Sequence, residues 1–465
     1  MLPFVNMSGD PANEYFSDGI SEEILNVLAG VDALQVAART SSFSFKGKDV
    51  EIPEIARALN VRLVLEGSVR RQGDRVRITA QLIDAAQGFH VWSKTYDREL
   101  QDIFAIQDEI ARAIGDALQV EIGGGGGTPA TADLAAYDLY LRGMALWHTR
   151  QGDNLWEAVS LFEQAAARDP LFAPAWSGQA LAYTVLPAYS SKMGWAEATE
   201  HTAARALHAL ALDPTQPEPY AALANAMLSR LERETARALL KRAIALRPSF
   251  ATAHQWLGNE LMGAGLLPEA LAAAERATAL DPRSLIIADN HAMVLMALGR
   301  DREARDRCAA ALAQSPESYG CVQYVVATNI FLGDLDAARE PMRRLAAQKG
   351  PAGVARAERL LDALAGRGDV AAVIAELAVL PYNSVVDERS DNVLEDHIVA
   401  AMLMQLGGHE EALAFLERTS VEGGNTVEWA LVLPSFDPVR CMPRFQALFT
   451  VIGSQDPHAA RVCGG

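Results

Sequence analysis

The sequence has little of what marks a catalyst, a membrane span or a nucleic-acid binder. No uninterrupted apolar run is long enough to cross a bilayer, and the opening MLPFVNMSGDP has neither the basic stretch nor the apolar core of a leader. Membrane insertion is therefore not expected. A cytoplasmic location is, with the periplasm as the alternative if a membrane segment precedes this chain in the native protein. Lys and Arg number 41 against 59 Asp and Glu, a formal charge of −18, and no basic stripe stands out, so direct nucleic-acid binding is not expected. Cysteine is scarce and scattered: Cys308, Cys321, Cys441 and Cys463 form no CxxC pair, which argues against a disulfide framework or a zinc site. There is no HExxH, GxSxG, Walker lysine or EF-hand loop. His254 and His291 read as a pair met by chance in helical packing. No catalytic residue, metal or cofactor is predicted, and the chain is expected not to be an enzyme.

What is present is a period. Pro214, Pro248, Pro282 and Pro316 stand 34 residues apart, and Ala236, Ala270, Ala304 and Ala338 keep the same step, as do Ala243, Ala277 and Ala311. Gly265, Gly299 and Gly333 mark one recurring turn. A glycine that ends one helix in a left-handed cap, alanines that let the next helix approach, and a proline that stops it describe a stacked helical hairpin. The spacing is that of the tetratricopeptide (TPR) repeat. A first repeat is read over about Ala132 to Pro170, and a second carries an insertion around Val185 to Trp195. Later repeats run to Pro248, Pro282 and Pro316. The pattern loosens beyond Gly350-Pro351, and Pro434 to Gly453 resembles a terminal cap. Cys308 takes a slot in this phase that calls for a small core residue.

Residues 1–122 read differently, as a small α/β domain. The expected elements are an extended Leu2–Asn6, a helix over Ser21–Leu28, a strand over Leu34–Ala38, a helix over Ile52–Asn60, strands over Arg62–Arg71, Arg75–Asp84 and Phe89–Arg98, and a closing helix over Ile103–Val120. Gly67, in mid-strand, is expected to permit close backbone approach or a bulge. Trp92 and Tyr96 share a strand face and either pack under a helix or form an aromatic patch with His90. Gly123 to Gly127 have linker composition, and no GK[ST] follows that would make them a phosphate loop. The orientation of the parts on either side is expected to vary. The predicted fold class is α+β: a small mixed-sheet α/β domain (1–122), a Gly-rich linker (123–131), a mostly α-helical TPR superhelix of the right-handed α-solenoid kind with its cap (132–453), and a tail (454–465).

The stretch LPFVNMSGDPANEYFSDGISEEI (Leu2 to Ile24) resembles the TolB-like amino-terminal module of bacterial regulatory proteins. The resemblance continues through ARTSSFSFKGK (Ala38 to Lys48), IARALNVRLVLEGSVRRQGDRVRITAQLIDAAQGFHVWSKTYDREL (Ile55 to Leu100) and DIFAIQDEIA (Asp102 to Ala111). It implies an α/β domain without established catalytic residues, typically followed by TPR repeats and often preceded by a class III nucleotide cyclase or a winged-helix domain. Against that family's pattern the first strand looks cut short, because Met1 stands directly before Leu2.

The repeat phase places Asn225 and Asn259 at equivalent positions of successive first helices, with Gln255, Asp289, Asn290 and Gln323 nearby. Side-chain amides both donate to and accept from a peptide backbone, so these six residues form the predicted groove for a protein or peptide partner. A solvated polar face would look the same in the sequence. Ala221, Trp256 and Ile286 stand where a carboxylate clamp would want cations, which disfavours recognition of a chain-terminal carboxylate. Homo-oligomerisation is left open. The functional expectation is a regulatory interaction module. Its alternative is the sensory half of a nucleotide cyclase or winged-helix regulator whose output domain lies outside this chain.

Overall fold

The structure is a computed structural model, described here for residues 1–31, 34–118, 131–190, 192–314, 319–380, 394–422 and 426–464. The predicted linker Gly123–Gly127 and Pro316 lie outside the described residues. The chain falls into two compact units: Met1–Ala226, Ala238–Ala253 and Ala279–Pro282 form unit 1, and Met227–Arg237, His254–Thr278 and Arg283–Gly465 form unit 2.

Unit 1 opens with a four-stranded sheet, β1 (Val5–Asn6), β2 (Leu63–Gln72), β3 (Arg75–Asp84) and β4 (Phe89–Glu99), hydrogen-bonded in that order. β1 runs parallel to β2, and the other pairs are antiparallel. Helices α1 (Glu14–Ala29), α2 (Arg39–Phe43), α3 (Ile52–Leu59) and α4 (Ile103–Leu118) accompany it. The alternation on β3 sends Val76, Ile78, Ala80 and Leu82 inward, where Ile20 and Ile24 of α1 and Ile103, Ile106 and Ile110 of α4 close the core. Gly67 pairs with Ala80, and a β-carbon there would strike the Thr79 carbonyl and the Phe4 ring. Tyr96 is buried in this core, Trp92 packs at its margin and His90 is exposed, so no aromatic patch forms. The strand predicted over Leu34–Ala38 is absent. Its backbone is taken up elsewhere, Leu34 N donating to Val31 O and Ala38 N to Leu280 O, while Ala37 packs with Phe45, Ile55 and Leu59.

The same core continues into the first repeat helices, α5 (Leu134–Trp147), α6 (Gly152–Arg168) and α7 (Ala173–Val185). Ala136, Tyr137, Leu141, Phe172 and Ala175 belong to one cluster with Phe4, Phe16 and Val69. Tyr15 hydrogen-bonds Asp138, and Ser249 Oγ donates to Ala29 O at 2.9 Å. A variable orientation, expected from the glycine linker, does not hold within unit 1. Shared burial fixes the sheet against α5 whatever the connection, at about 1.5–3 kcal/mol per large apolar side chain. The insertion before α8 (Trp195–Leu212) folds onto α6, where Trp156 Nε1 donates to Ser190 Oγ at 3.1 Å.

Next come α9 (Pro217–Leu228), α10 (Arg233–Leu246), α11 (Ala251–Gly263), α12 (Leu267–Leu280), α13 (Leu285–Ala297), α14 (Asp301–Gln314), α15 (Tyr319–Phe331), α16 (Leu335–Ala347), α17 (Gly350–Leu364) and α18 (Val370–Ala378). After them are α19 (Asp396–Gln405), α20 (His409–Glu422), α21 (Thr426–Leu431), α22 (Pro443–Val451) and α23 (Ala459–Val462). These are the helical hairpins of a TPR solenoid. Ala236, Ala270, Ala304 and Ala338 are each fully buried, as the spacing requires, and so is Cys308. Gly265, Gly299 and Gly333 hold φ of +80°, +71° and +76°, and Gly407 repeats the turn at +82°. One step earlier the same turn is made by Leu231, at φ +61°.

In unit 2 the cap turns back onto the repeat turns. Ser454 Oγ bonds the Gly263 carbonyl, and His458 Nε2 lies 3.0 Å from Ala297 O and 2.9 Å from Val432 O. Arg440, fully buried, donates to the carbonyls of Leu431 and Leu433 and pairs with Asp437 and Asp456. This fold-back brings Cys441 and Cys463 together as a disulfide, with Cα atoms 5.6 Å apart. That corrects the sequence reading, in which a separation of 22 residues and the lack of a local motif hid the pair. Cys308 and Cys321 are buried and not disulfide-bonded.

Candidate recognition wall of unit 2

The first helices of successive repeats, α11, α13 and α15, carry Gln255, Asp289 and Gln323 one 34-residue step apart. On α11, Gln255 is buried and Asn259 half-buried. Asn259 Nδ2 donates to Asn290 Oδ1 at 2.6 Å, and Asn290 Nδ2 donates to Ile286 O at 2.6 Å and to Asp289 Oδ1 at 2.8 Å. Three of the six predicted residues are thus joined in one chain of hydrogen bonds that ends on a carboxylate. A β-carbon at Gly320 would run into that carboxylate, so a glycine at the start of α15 makes room for it.

Gln323 is fully buried and serves a bracket. Its Nε2 donates to Glu395 Oε1 at 3.1 Å, and its Oε1 accepts from Glu395 N at 2.7 Å, which fixes the residue that caps α19. The sixth predicted residue, Asn225, belongs to unit 1, where Nδ2 donates to Ala221 O at 3.3 Å.

The structure adds residues that the sequence did not nominate. Glu395 is 12% exposed, and its Oε2, without a hydrogen-bond partner among the described residues, lies 3.4 Å from His397 Nδ1. His397 is completely buried between the rings of Tyr324 (5.9 Å) and Trp429 (5.8 Å), and among the described residues neither of its nitrogens has a hydrogen-bond partner. Burial holds His397 down at about 3, so the ring is neutral. Burial pushes Asp289 well above the usual carboxylate range, helped by Cys321 and Glu395 and opposed by Asn290. Burial also raises Glu395, against hydrogen bonds from Gln323 and Tyr324. Among the described residues no Lys or Arg pairs with either acid. The 34-residue step could have pointed to Tyr324, which shares its phase with Asn290. It could not reach Glu395 or His397, because the repeat loses its period after Gly350.

A second concavity in unit 2, about 440 Å³, lies among Glu232, Arg233, Arg237, Leu266, Ser454 and Gln455. Its cations are committed: Arg233 pairs with Glu428 and donates to Ile452 O, and Arg237 pairs with Glu260. Among the described residues no group of three His, Cys, Asp or Glu could hold a metal ion, and no helix is long and apolar enough to cross a membrane.

No protein-family model matches the chain. A curated protein of Rhizobium meliloti (strain 1021), putative adenylate cyclase 3, is 51% identical over 146 residues, which is 30% of this chain and 25% of that protein. The chain thus spans about a quarter of that relative's length. Among solved structures, a thermophilic TPR protein of Thermus thermophilus is similar at 22% identity and a TM-score of 0.36, over 41% of this chain and 97% of that one. PilW, a type IV pilus biogenesis factor, is similar at 18% identity and a TM-score of 0.39, over 48% and 98%.

Proposed function

We propose that this chain is a non-enzymatic interaction module of a bacterial regulatory protein, in which a TolB-like α/β domain is built onto a TPR array that binds a protein or peptide. The observation that carries the reading is the linked polar wall of Asn259, Asp289 and Asn290 on adjoining first helices, with Glu395 beside it. Side-chain amides and carboxylates on adjoining first helices suit an extended ligand, which offers polar groups along its backbone. The test is recovery of partners from the host with the wild-type chain and with Asn259→Ala/Asn290→Ala, followed by titration of the purified partner. The variant should keep its helicity and lose at least about tenfold in affinity; equal affinity would reject the wall as the binding surface.

A second reading is favoured by the relative from R. meliloti: the chain serves as the sensory half of a nucleotide cyclase or a winged-helix regulator. Cyclase activity that appears only when an upstream domain is encoded in frame, and that changes when the wall is substituted, would establish it. The location divides on the Cys441–Cys463 bond, which suits an oxidising compartment such as the periplasm, against the cytoplasmic expectation drawn from the sequence. Thiol trapping of the native protein would show which state the pair adopts.

A further inference from the structure

The proposed binding wall carries two acids whose charge nothing among the described residues balances, and this specifies the chemistry of the ligand. Both acids stand against α15: a β-carbon at Gly320 would run into the Asp289 carboxylate, and one turn on Gln323 Nε2 donates to Glu395 Oε1 at 3.1 Å, close enough that Glu395 disfavours the ionisation of Asp289. The described neighbours that face them are otherwise neutral. Asn290, Cys321 and Gly320 lie on the side of Asp289, and Gln323, Tyr324 and His397 on the side of Glu395. His397 is the residue best placed to supply a compensating charge. It is fully buried, both its nitrogens lack hydrogen-bond partners among the described residues, and its Nδ1 stands 3.4 Å from Glu395 Oε2. Unpaired buried acids are costly, and a fold that keeps them beside a neutral histidine gains most from an incoming cation.

Building on the interaction-module reading, we propose that Asp289 and Glu395 together receive the basic side chain, arginine or lysine, of a peptide that lies along α11, α13 and α15. A metal ion is a poorer fit, because two carboxylates with amide and phenol neighbours fall short of a ligand set. A guanidinium matches better, because two carboxylates can each take part of its planar fork. The formal charge of −18 steers basic partners in the same direction.

The experiment uses the full chain and immobilised decapeptides of one alanine–serine–valine sequence with Arg, Lys, Gln or Glu at the centre. Binding is measured for wild type and for Asp289→Asn/Glu395→Gln. Arg and Lys peptides should bind wild type at least about thirtyfold more tightly than the Gln and Glu peptides, and the double variant should erase that preference. Both substitutions are isosteric and remove charge, so melting temperature reports whether the variant is folded. A preference that persists in the folded double variant overturns the proposal, as does a wild type that binds all four peptides alike. If the charge preference is absent but Asn259→Ala/Asn290→Ala still weakens binding, the interaction wall stands and the cation pocket falls. If no peptide binds and neither variant matters, both fall. N-acetyl-argininamide, titrated alone, separates the sources: affinity equal to that of the Arg peptide would assign the pocket to a free cation and contradict a peptide ligand.

Discussion

Glu22 in unit 1 and the pair Asp289 and Glu395 in unit 2 are sequestered acids that the fold treats in opposite ways. In unit 1, Glu22 on α1 is 11% exposed and would be pushed up by burial, but Arg39 Nε at 2.9 Å and His148 Nε2 at 2.9 Å hold it down at about 2. Burial and Arg39 keep His148 itself at about 4, so near neutral pH the ring bonds Glu22 uncharged and Arg39 carries the balancing charge. In unit 2, Asp289 and Glu395 are also sequestered, but their described neighbours are amides, a phenol, a thiol and an uncharged imidazole, and both acids are raised. The first arrangement is complete within the fold. Among the described residues the second has no balancing cation, and on the proposal above an incoming basic side chain supplies it.

Breaking the balanced site should have the largest effect. Arg39→Met leaves Glu22 buried without its cation and should destabilise the protein by about 3 kcal/mol, read as a lower urea midpoint at unchanged slope. Neutralising the unbalanced site should have the opposite sign. Asp289→Asn/Glu395→Gln should stabilise by about 1 kcal/mol at pH 8 and by less at pH 5. Acids raised in the folded state contribute stability that is intact below the ordinary carboxylate range and is lost as pH rises through their raised values. His397, lowered to about 3, works the other way: its contribution is present above about 6.5 and is lost as pH falls towards 3. The double variant should therefore flatten the alkaline side of the stability profile and leave the acid side in place. The smallest effect serves as a control for charge. Leu231 holds a left-handed turn at φ +61° where Gly265 and Gly299 hold the others, so Leu231→Gly should stabilise by less than about 1 kcal/mol, equally at every pH in thermal melts.

The parts of the molecule that repeat were legible in the sequence. A period of 34 with alanine at the contacts and glycine at the turns leaves few alternatives, and the buried Ala270 and Ala304 with their glycine turns follow from it. The strands β2 to β4 were legible for a similar reason, since their alternation is local. Leu34–Ala38 was misread because a short, mostly apolar stretch reads as a strand whether or not a neighbour offers it a ladder. The disulfide and the fold-back of the cap were invisible because both depend on which distant turns the tail meets. For the site, the amides Asn225 and Asn259 at the repeat pitch drew attention to their surroundings, Asp289 and Asn290 among them. The phase could not show that Gln323 is spent holding Glu395 or that His397 stays neutral, because burial decides both, and burial in this region follows from residues that have left the period.

Whether α13 and α15 form a recognition wall is best settled by hydrogen exchange of the full chain with and without the Arg-centred decapeptide at saturation. A wall that grips the peptide should slow exchange over Leu285–Ala297 and Tyr319–Phe331, with no change in β2 to β4 and no protection in the Asp289→Asn/Glu395→Gln variant. Protection confined to the sheet, or protection of the helices that survives in the variant, would contradict it.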